Sequence, residues 1–140
     1  DRPGLEGPER RRDREAQPGH EGGGEAEAQL HADLRAALEA GGTLLDAGAT
    51  GPAAIEAALK ILEDSPHFNA GRGAALDEHG QARHDASIMR GEDLGAGGIA
   101  GSSRIKNPIA AARAVMEKTP HVMLAGTGAG RAALVARQRC

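Results

Sequence analysis

The stretch LEDSPHFNAGRGAALDEHGQARHDASIM, Leu62–Met89, decides how this chain is read. It joins the end of an amphipathic helix to an Asn69-Ala70-Gly71-Arg72-Gly73 turn. A β-hairpin is predicted next, ending in Asp85-Ala86-Ser87-Ile88-Met89. Glycine has no Cβ, so a turn with two glycines lets backbone approach another group closely. The turn sits between regular elements, where functional groups are held by a rigid scaffold. Asn69 stands out within it. Its amide offers two donors and one acceptor. Such a residue either orients a nucleophile or a substrate carbonyl, or satisfies only its own turn.

Upstream, Leu30, Leu34 and Leu38 recur every four residues and predict one face of a helix that begins near Ala26. Gly41-Gly42 is read as its end. A second helix is predicted from Gly51-Pro52, because proline suits a first helical turn. Ile55, Leu59 and Leu62 form its apolar face. In the hairpin, strands Ala74–Leu76 and Ala82–Ile88 flank the polar turn Asp77-Glu78-His79-Gly80. Ala96–Ala100 reads as a short strand weakened by its glycines. Asn107-Pro108 opens a helix over Ile109–Lys118, which Thr119-Pro120 breaks. A buried strand over His121–Ala125, a loop at Gly126–Gly130 and a helix over Arg131–Arg137 complete the prediction.

The 140 residues suit one ordinary domain. With one Phe, no Trp and no Tyr, the apolar content rests largely on Ala, supported by Leu, Ile and Val. Each large aliphatic side chain contributes roughly 1.5–3 kcal/mol on full burial, so the core is expected to be small and part of a larger one. Net charge is −3, which gives no general attraction to nucleic acid, and aromatic stacking platforms are missing. Cys140 is the single cysteine, so no internal disulfide forms. No apolar run reaches the roughly 20 residues of a membrane span, and the polar N-terminus lacks a signal-peptide core. The cytoplasm is the expected location. Residues 1–25 are Arg-, Glu-, Gly- and Pro-rich and are read as a disordered charged tail; 26–140 form the domain. Glu9, Asp13 and Glu15 dilute the basic patch Arg10-Arg11-Arg12 and Arg14.

Other constellations carry less. His67, His79 and His84 follow no zinc-ligand spacing. Gly126-Thr127-Gly128-Ala129-Gly130 lies between a predicted strand and helix, as a dinucleotide fingerprint does. Arg131 occupies the place of the third glycine, and the Lys-Ser/Thr ending of a phosphate loop is missing.

The block from Leu62 to Gly73, with Asp85–Met89, resembles the plant-type asparaginases and isoaspartyl peptidases, which are Ntn-hydrolases with a threonine nucleophile. The similarity continues through Arg104-Ile105-Lys106-Asn107-Pro108-Ile109, Ala112–Val122 and Leu124-Ala125-Gly126, and Leu34–Leu45 resembles the family's first helix region. The family's upstream His-Gly-Gly-Ala-Gly has only a poor echo at His20–Gly24. The resemblance implies an α/β fold that is an incomplete αββα Ntn-hydrolase sandwich, the α-chain half only. It implies that the main-chain carbonyls of Leu62, Glu63, Ser65, Phe68, Ala70 and Arg72 bind a structural sodium ion. No cofactor for the chemistry is implied. Asn69 matches the asparagine beside the nucleophile, and Asp85 and Ser87 match a motif read as mainly structural.

The implied reaction is hydrolysis of the β-amide of asparagine or of isoaspartyl dipeptides. Family enzymes cleave themselves to expose a threonine whose own amine is the base. The nucleophile segment Thr-Val-Gly-Ala-Val-Ala has no counterpart here. Thr119 and Thr127 lie in segments that match other parts of the family pattern. Arg131–Cys140 drifts from that pattern, as a fragment, a truncated gene product or a frame change would. The expected partners are therefore the missing β-chain half, a second α/β unit and a small-molecule amide. The chain alone is expected to be inactive, with open sheet edges prone to association. The alternative is a non-catalytic remnant or interaction module that retains the scaffold.

Overall fold

In the computed structural model, which describes residues 23–103, 105–126 and 128–129, three helices and a three-stranded sheet follow one another. Helix α1 spans Gly23–Asp46 and α2 spans Gly51–Asp64. Strand β1, His84–Met89, is followed by β2, Ala96–Ser102. Helix α3, Pro108–Lys118, then leads to β3, Met123–Ala125. Most of the expected tail and the expected helix over Arg131–Arg137 lie outside the described residues; Gly23–Glu25 form the first turn of α1.

Helix α1 does not stop at Gly41-Gly42. Gly41 is an approach point: a Cβ there would lie 3.4 Å from the Ala54 carbonyl oxygen and 3.5 Å from Ala58 Cβ of α2. The helix ends instead at Gly48, whose φ of +78° favours glycine. There Gly48 N–H donates to Leu45 O at 2.9 Å and Ala49 N–H to Leu44 O at 2.9 Å, the paired bonds of a Schellman ending. The buried face also differs from the leucine stripe read in the sequence. Ala37 and Gly41 are buried, whereas Leu34 is 39% and Leu38 76% exposed. Small residues set the contact because they let the two helix backbones come together. In α2, Pro52 occupies the first turn as expected, but Ile55 is exposed rather than core-facing.

The predicted hairpin between Ala74 and Ile88 shrinks to one bridge, Leu76 with Ala82. Asp77 shapes the intervening turn by accepting from His79 N–H and Gln81 N–H, each at 2.9 Å. The partner of β1 is β2, antiparallel, with Ala86 opposite Ile99 and Ile88 opposite Gly97. Strand β3 pairs in parallel with β2, and α3 forms the crossover. Ala86, Ile99 and Leu124 lie side by side on the face that α3 covers. Ser87, Gly98 and Met123 share the opposite face, where Met123 and Met89 are exposed.

The core lies between α3 and the sheet. Ile99, Ile105, Ala111, Val115 and Ala129 form one cluster. Ile88, Ile109 and Ala112 form another, against which Leu59 of α2 packs. Gly97 of β2 is what allows α3 to sit close. A Cβ on Gly97 would collide with Ala112 O and the Met116 backbone N–H group. Gly42, by contrast, has open space where a Cβ would project.

Gly97→Ala is therefore expected to destabilise the chain by about 1–3 kcal/mol through overpacking. Gly42→Ala is expected to stabilise it by about 0.5–1 kcal/mol through helix propensity. Urea unfolding followed by circular dichroism checks both; equal effects of the two substitutions would contradict the packing described.

Candidate functional site

The end of α2 is tied to the start of α3 by neighbouring carboxylates. Glu63 is only 5% exposed, and its Oε1 accepts from Ile109 N–H at 2.8 Å. Pro108 has no N–H, so Ile109 supplies the first free donor of the helix. Glu63 Oε2 is buried without a hydrogen-bond partner. Burial raises the Glu63 carboxyl above its ordinary 4.5, although the Ile109 N–H and Asn107 oppose the shift. Asp64 stays exposed and accepts from Lys106 Nζ at 3.0 Å and Asn107 Nδ2 at 3.1 Å.

The chain then folds back on itself. Ser65 N–H donates to Leu62 O at 3.3 Å, and Ala70 N–H to Phe68 O at 2.8 Å. Gly71–Gly73 form a 3-10 turn, with Gly71 at φ +50°. A Cβ on Gly71 would strike the Glu63 carbonyl, and one on Gly73 would strike the Phe68 and Pro66 carbonyls. These oxygens are thus turned onto the glycine turn, an arrangement that a side chain would fill. An oxygen-rich cradle of this kind suits a hard cation.

Asn69 is exposed, and its Oδ1 accepts from Ala75 N–H at 2.8 Å. The bond orients the side chain and leaves the amide donors for another group. Asn69, Glu63, Gly71, His84 and Asp85 line one cavity of about 280 Å³. His84 Nδ1 is a second buried polar atom without a partner. Asp85 Oδ1 accepts from Gly101 N–H at 2.7 Å, beside the irregularity in pairing between His84 and Ala86. That bond favours the structural reading of Asp85.

The structure thus brings Asn69, Glu63 and Ala70 to one cavity and turns the Glu63 and Phe68 carbonyls toward the glycines. Leu62 and Ala70 carbonyls accept backbone bonds from Ser65 and Gly73, while Arg72 is exposed. Among the described residues, no three His, Cys, Asp or Glu side chains converge as a metal-ligand group. Thr119 Oγ1 donates to Val115 O at 2.9 Å, which closes the end of α3, and Thr127 lies outside the described residues. Sequence reading missed three contributors: the Pro66 carbonyl, the buried Glu63 carboxyl and Asp33 of α1, whose Oδ2 accepts from Ser65 Oγ at 2.6 Å. An acidic residue in the last turn of a helix, or on its polar face, carries no signal that distinguishes it from a solvated one.

A sequence-family profile described as Asparaginase matches residues 18–138. A plant-type L-asparaginase from Pyrococcus horikoshii is 57% identical over 76 residues, covering 54% of this chain and 25% of the relative. The isoaspartyl peptidase/L-asparaginase of Bos taurus is 49% identical over 98 residues, 70% of this chain and 32% of the relative. That of Homo sapiens is 44% identical over 103 residues, 74% and 33% respectively. The chain spans about a quarter to a third of the length of these relatives.

A carboxyl raised above 4.5 binds its proton more tightly in the folded than in the unfolded chain. Its contribution to stability is full below the unfolded value and is lost as pH rises through the folded value. Glu63→Gln keeps an acceptor for Ile109 N–H but cannot ionise. Its stability relative to the parent should therefore increase from pH 4 to pH 7, as read by thermal melts. A stability difference, variant minus parent, that stays constant or falls over that range would contradict the raised value.

Proposed function

Because the chain belongs to the asparaginase family, we propose that it is the α-chain portion of an amidohydrolase acting on the β-amide of asparagine or on isoaspartyl dipeptides. The observation that carries this reading is the Leu62–Gly73 loop, which turns carbonyls onto its two glycines and sets Asn69 at a cavity. The bond from Ala75 N–H holds the Asn69 side-chain oxygen, so its NH₂ group is free to donate. In the proposed reaction this group orients the nucleophile or the substrate carbonyl. Pre-set donors of that kind need no rearrangement as charge develops.

The attacking group is proposed to be a threonine hydroxyl on a β-chain segment that these 140 residues do not contain. Its own amine takes the hydroxyl proton, the oxygen adds to the amide carbon, and the substrate C–N bond breaks as that proton passes to the departing nitrogen, leaving an acyl ester on the threonine. Water then releases the carboxylate. Within this chain, Thr119 is committed to the end of α3 and does not substitute for it.

The same loop is proposed to hold a structural sodium ion on the main-chain oxygens of Leu62, Glu63, Ser65, Phe68, Ala70 and Arg72. Support comes from the Glu63 and Phe68 carbonyls, which face glycines that admit no Cβ. A cation would offset the repulsion among oxygens gathered at one turn. A second sheet, completing an αββα sandwich, is proposed to cover the sheet face that carries Ser87 and Met123; their exposure supports it. The β chain and a second α/β unit are the proposed partners. Among the described residues no helix is long and apolar enough to cross a membrane, and the cytoplasm is the proposed location.

The 140-residue chain alone should release no ammonia from asparagine above a heat-treated control. Co-production with the remaining segment of a family relative should restore release. In that completed enzyme Asn69→Ala should lower turnover roughly 10²–10³-fold, the usual effect of losing one oriented donor. Ammonia release by the isolated chain, or full turnover of the Asn69→Ala enzyme, would overturn the assignment.

A further inference from the structure

We propose that Asp33, on α1, is a positioning residue for the carbonyl cradle and acts through Ser65. The inference builds on the cation-binding reading of the loop, but its local claim is separate: Asp33 sets the conformation of the turn from Ser65 to Gly73.

Ser65 is the junction of that turn. It is buried, at 6% exposure. Its hydroxyl donates to Asp33 Oδ2 at 2.6 Å and accepts from His67 N–H at 3.2 Å. A serine hydroxyl has one proton, so committing it to Asp33 fixes where its lone pairs point. They are presented to His67 N–H, which closes the chain around Pro66. The Pro66 and Phe68 carbonyls that emerge from this closure are those turned onto Gly73. On its other side, Ser65 N–H meets the Leu62 carbonyl, so one residue links both arms of the loop.

Asp33 is itself restrained. Gln29 Nε2, one helical turn earlier, donates to Asp33 Oδ1 at 2.8 Å. Both carboxylate oxygens are therefore engaged, and the Ser65 hydroxyl followed by the Gln29 amide holds the carboxyl below its ordinary 3.8. Among the described residues, Asp33–Ser65 is the only side-chain hydrogen bond between α1 and the loop. The rest of the α1 contact is apolar and directed at α2 through Ala37 and Gly41. Loss of the Asp33 carboxylate thus releases the loop without removing the packing that holds α1.

The test uses the full chain with Asp33→Ala, Asp33→Asn, Ser65→Ala and Ser65→Thr. Amide hydrogen exchange is read over His67–Gly73 and over the α1–α2 contact, and sodium binding is read as the midpoint of sodium-dependent thermal stabilisation at fixed ionic strength. Asp33→Ala and Ser65→Ala should speed exchange in the loop about tenfold while leaving the α1–α2 amides unchanged, as expected for loss of one hydrogen bond to a charged group. They should raise the sodium midpoint by a similar factor, and Ser65→Thr, which keeps the hydroxyl, should restore both. Asp33→Asn keeps an oxygen that can still accept from the Ser65 hydroxyl and should speed exchange less than Asp33→Ala; Ser65→Ala serves if the Asp33→Ala chain does not fold. Faster loop exchange in a chain whose parent shows no sodium response would refute the cation reading and support the positioning role. Unchanged loop exchange in Ser65→Ala, or in a folded Asp33→Ala chain, would overturn the positioning role whether or not sodium binds.

Discussion

The arrangement depends on one buried contact, the Glu63 carboxylate against the Ile109 N–H at the start of α3. Glu63 closes α2, and Ile109 belongs to the core cluster beneath β1. This buried bond ties the loop-bearing helix to the helix that covers the sheet. A carboxylate at a helix N-terminus is favoured by the helix dipole and by the otherwise orphaned donors. Burial works in the opposite direction, because removing a charge from water is costly and only one oxygen finds a partner. The raised carboxyl value records which tendency is larger at this position. A leucine in place of Glu63 would bury more easily, but it would leave Ile109 N–H without an acceptor.

Around that contact, close approach is achieved repeatedly by removing side chains. Gly41 admits α2 beside α1, Gly97 admits α3 onto β2, and Gly71 and Gly73 admit carbonyl oxygens into the loop. In each place the neighbour is largely backbone, which cannot move aside as a flexible side chain would. An alanine-rich, nearly aromatic-free chain gains little from any one buried residue. Its packing relies instead on short distances between backbones. Arg113 of α3 adds a half-buried tie to α2, bonding Glu56 at 2.8 Å while Glu117 of its own helix holds it at 2.7 Å.

What lies outside these contacts is also consistent with the family. The described helices stack to one side of the sheet, and the other side carries exposed Met89 and Met123. Leu34, Leu38 and Leu45 form an exposed stripe on α1. Apolar side chains are thus left exposed on a sheet face and along a helix. The family match covers residues 18–138, and the aligned segments cover about a quarter to a third of the relatives' length.

The sequence by itself determined the family and much of the element order. Pro52 and Pro108 marked helix entries because a missing N–H is tolerated only there. The Asn69–Gly73 turn was legible because its glycines have a local conformational meaning. Other features were settled by contacts distant along the chain. Gly41-Gly42 looked like a helix end, but α2 supplies the neighbour that makes a glycine useful inside the helix. The leucine spacing of α1 selected the wrong face because small residues, not large ones, set the approach to α2. The strand pairing went the same way: β1 took β2 rather than the nearer Ala74–Leu76, since pairing with β2 buries Ala86 and Ile88 under α3. Asp33 and Ser65 are 32 positions apart and unremarkable in their own segments. Only the packing of α1 on α2 brings them together, because hydrogen-bond partners are chosen by distance in space, which local sequence does not encode.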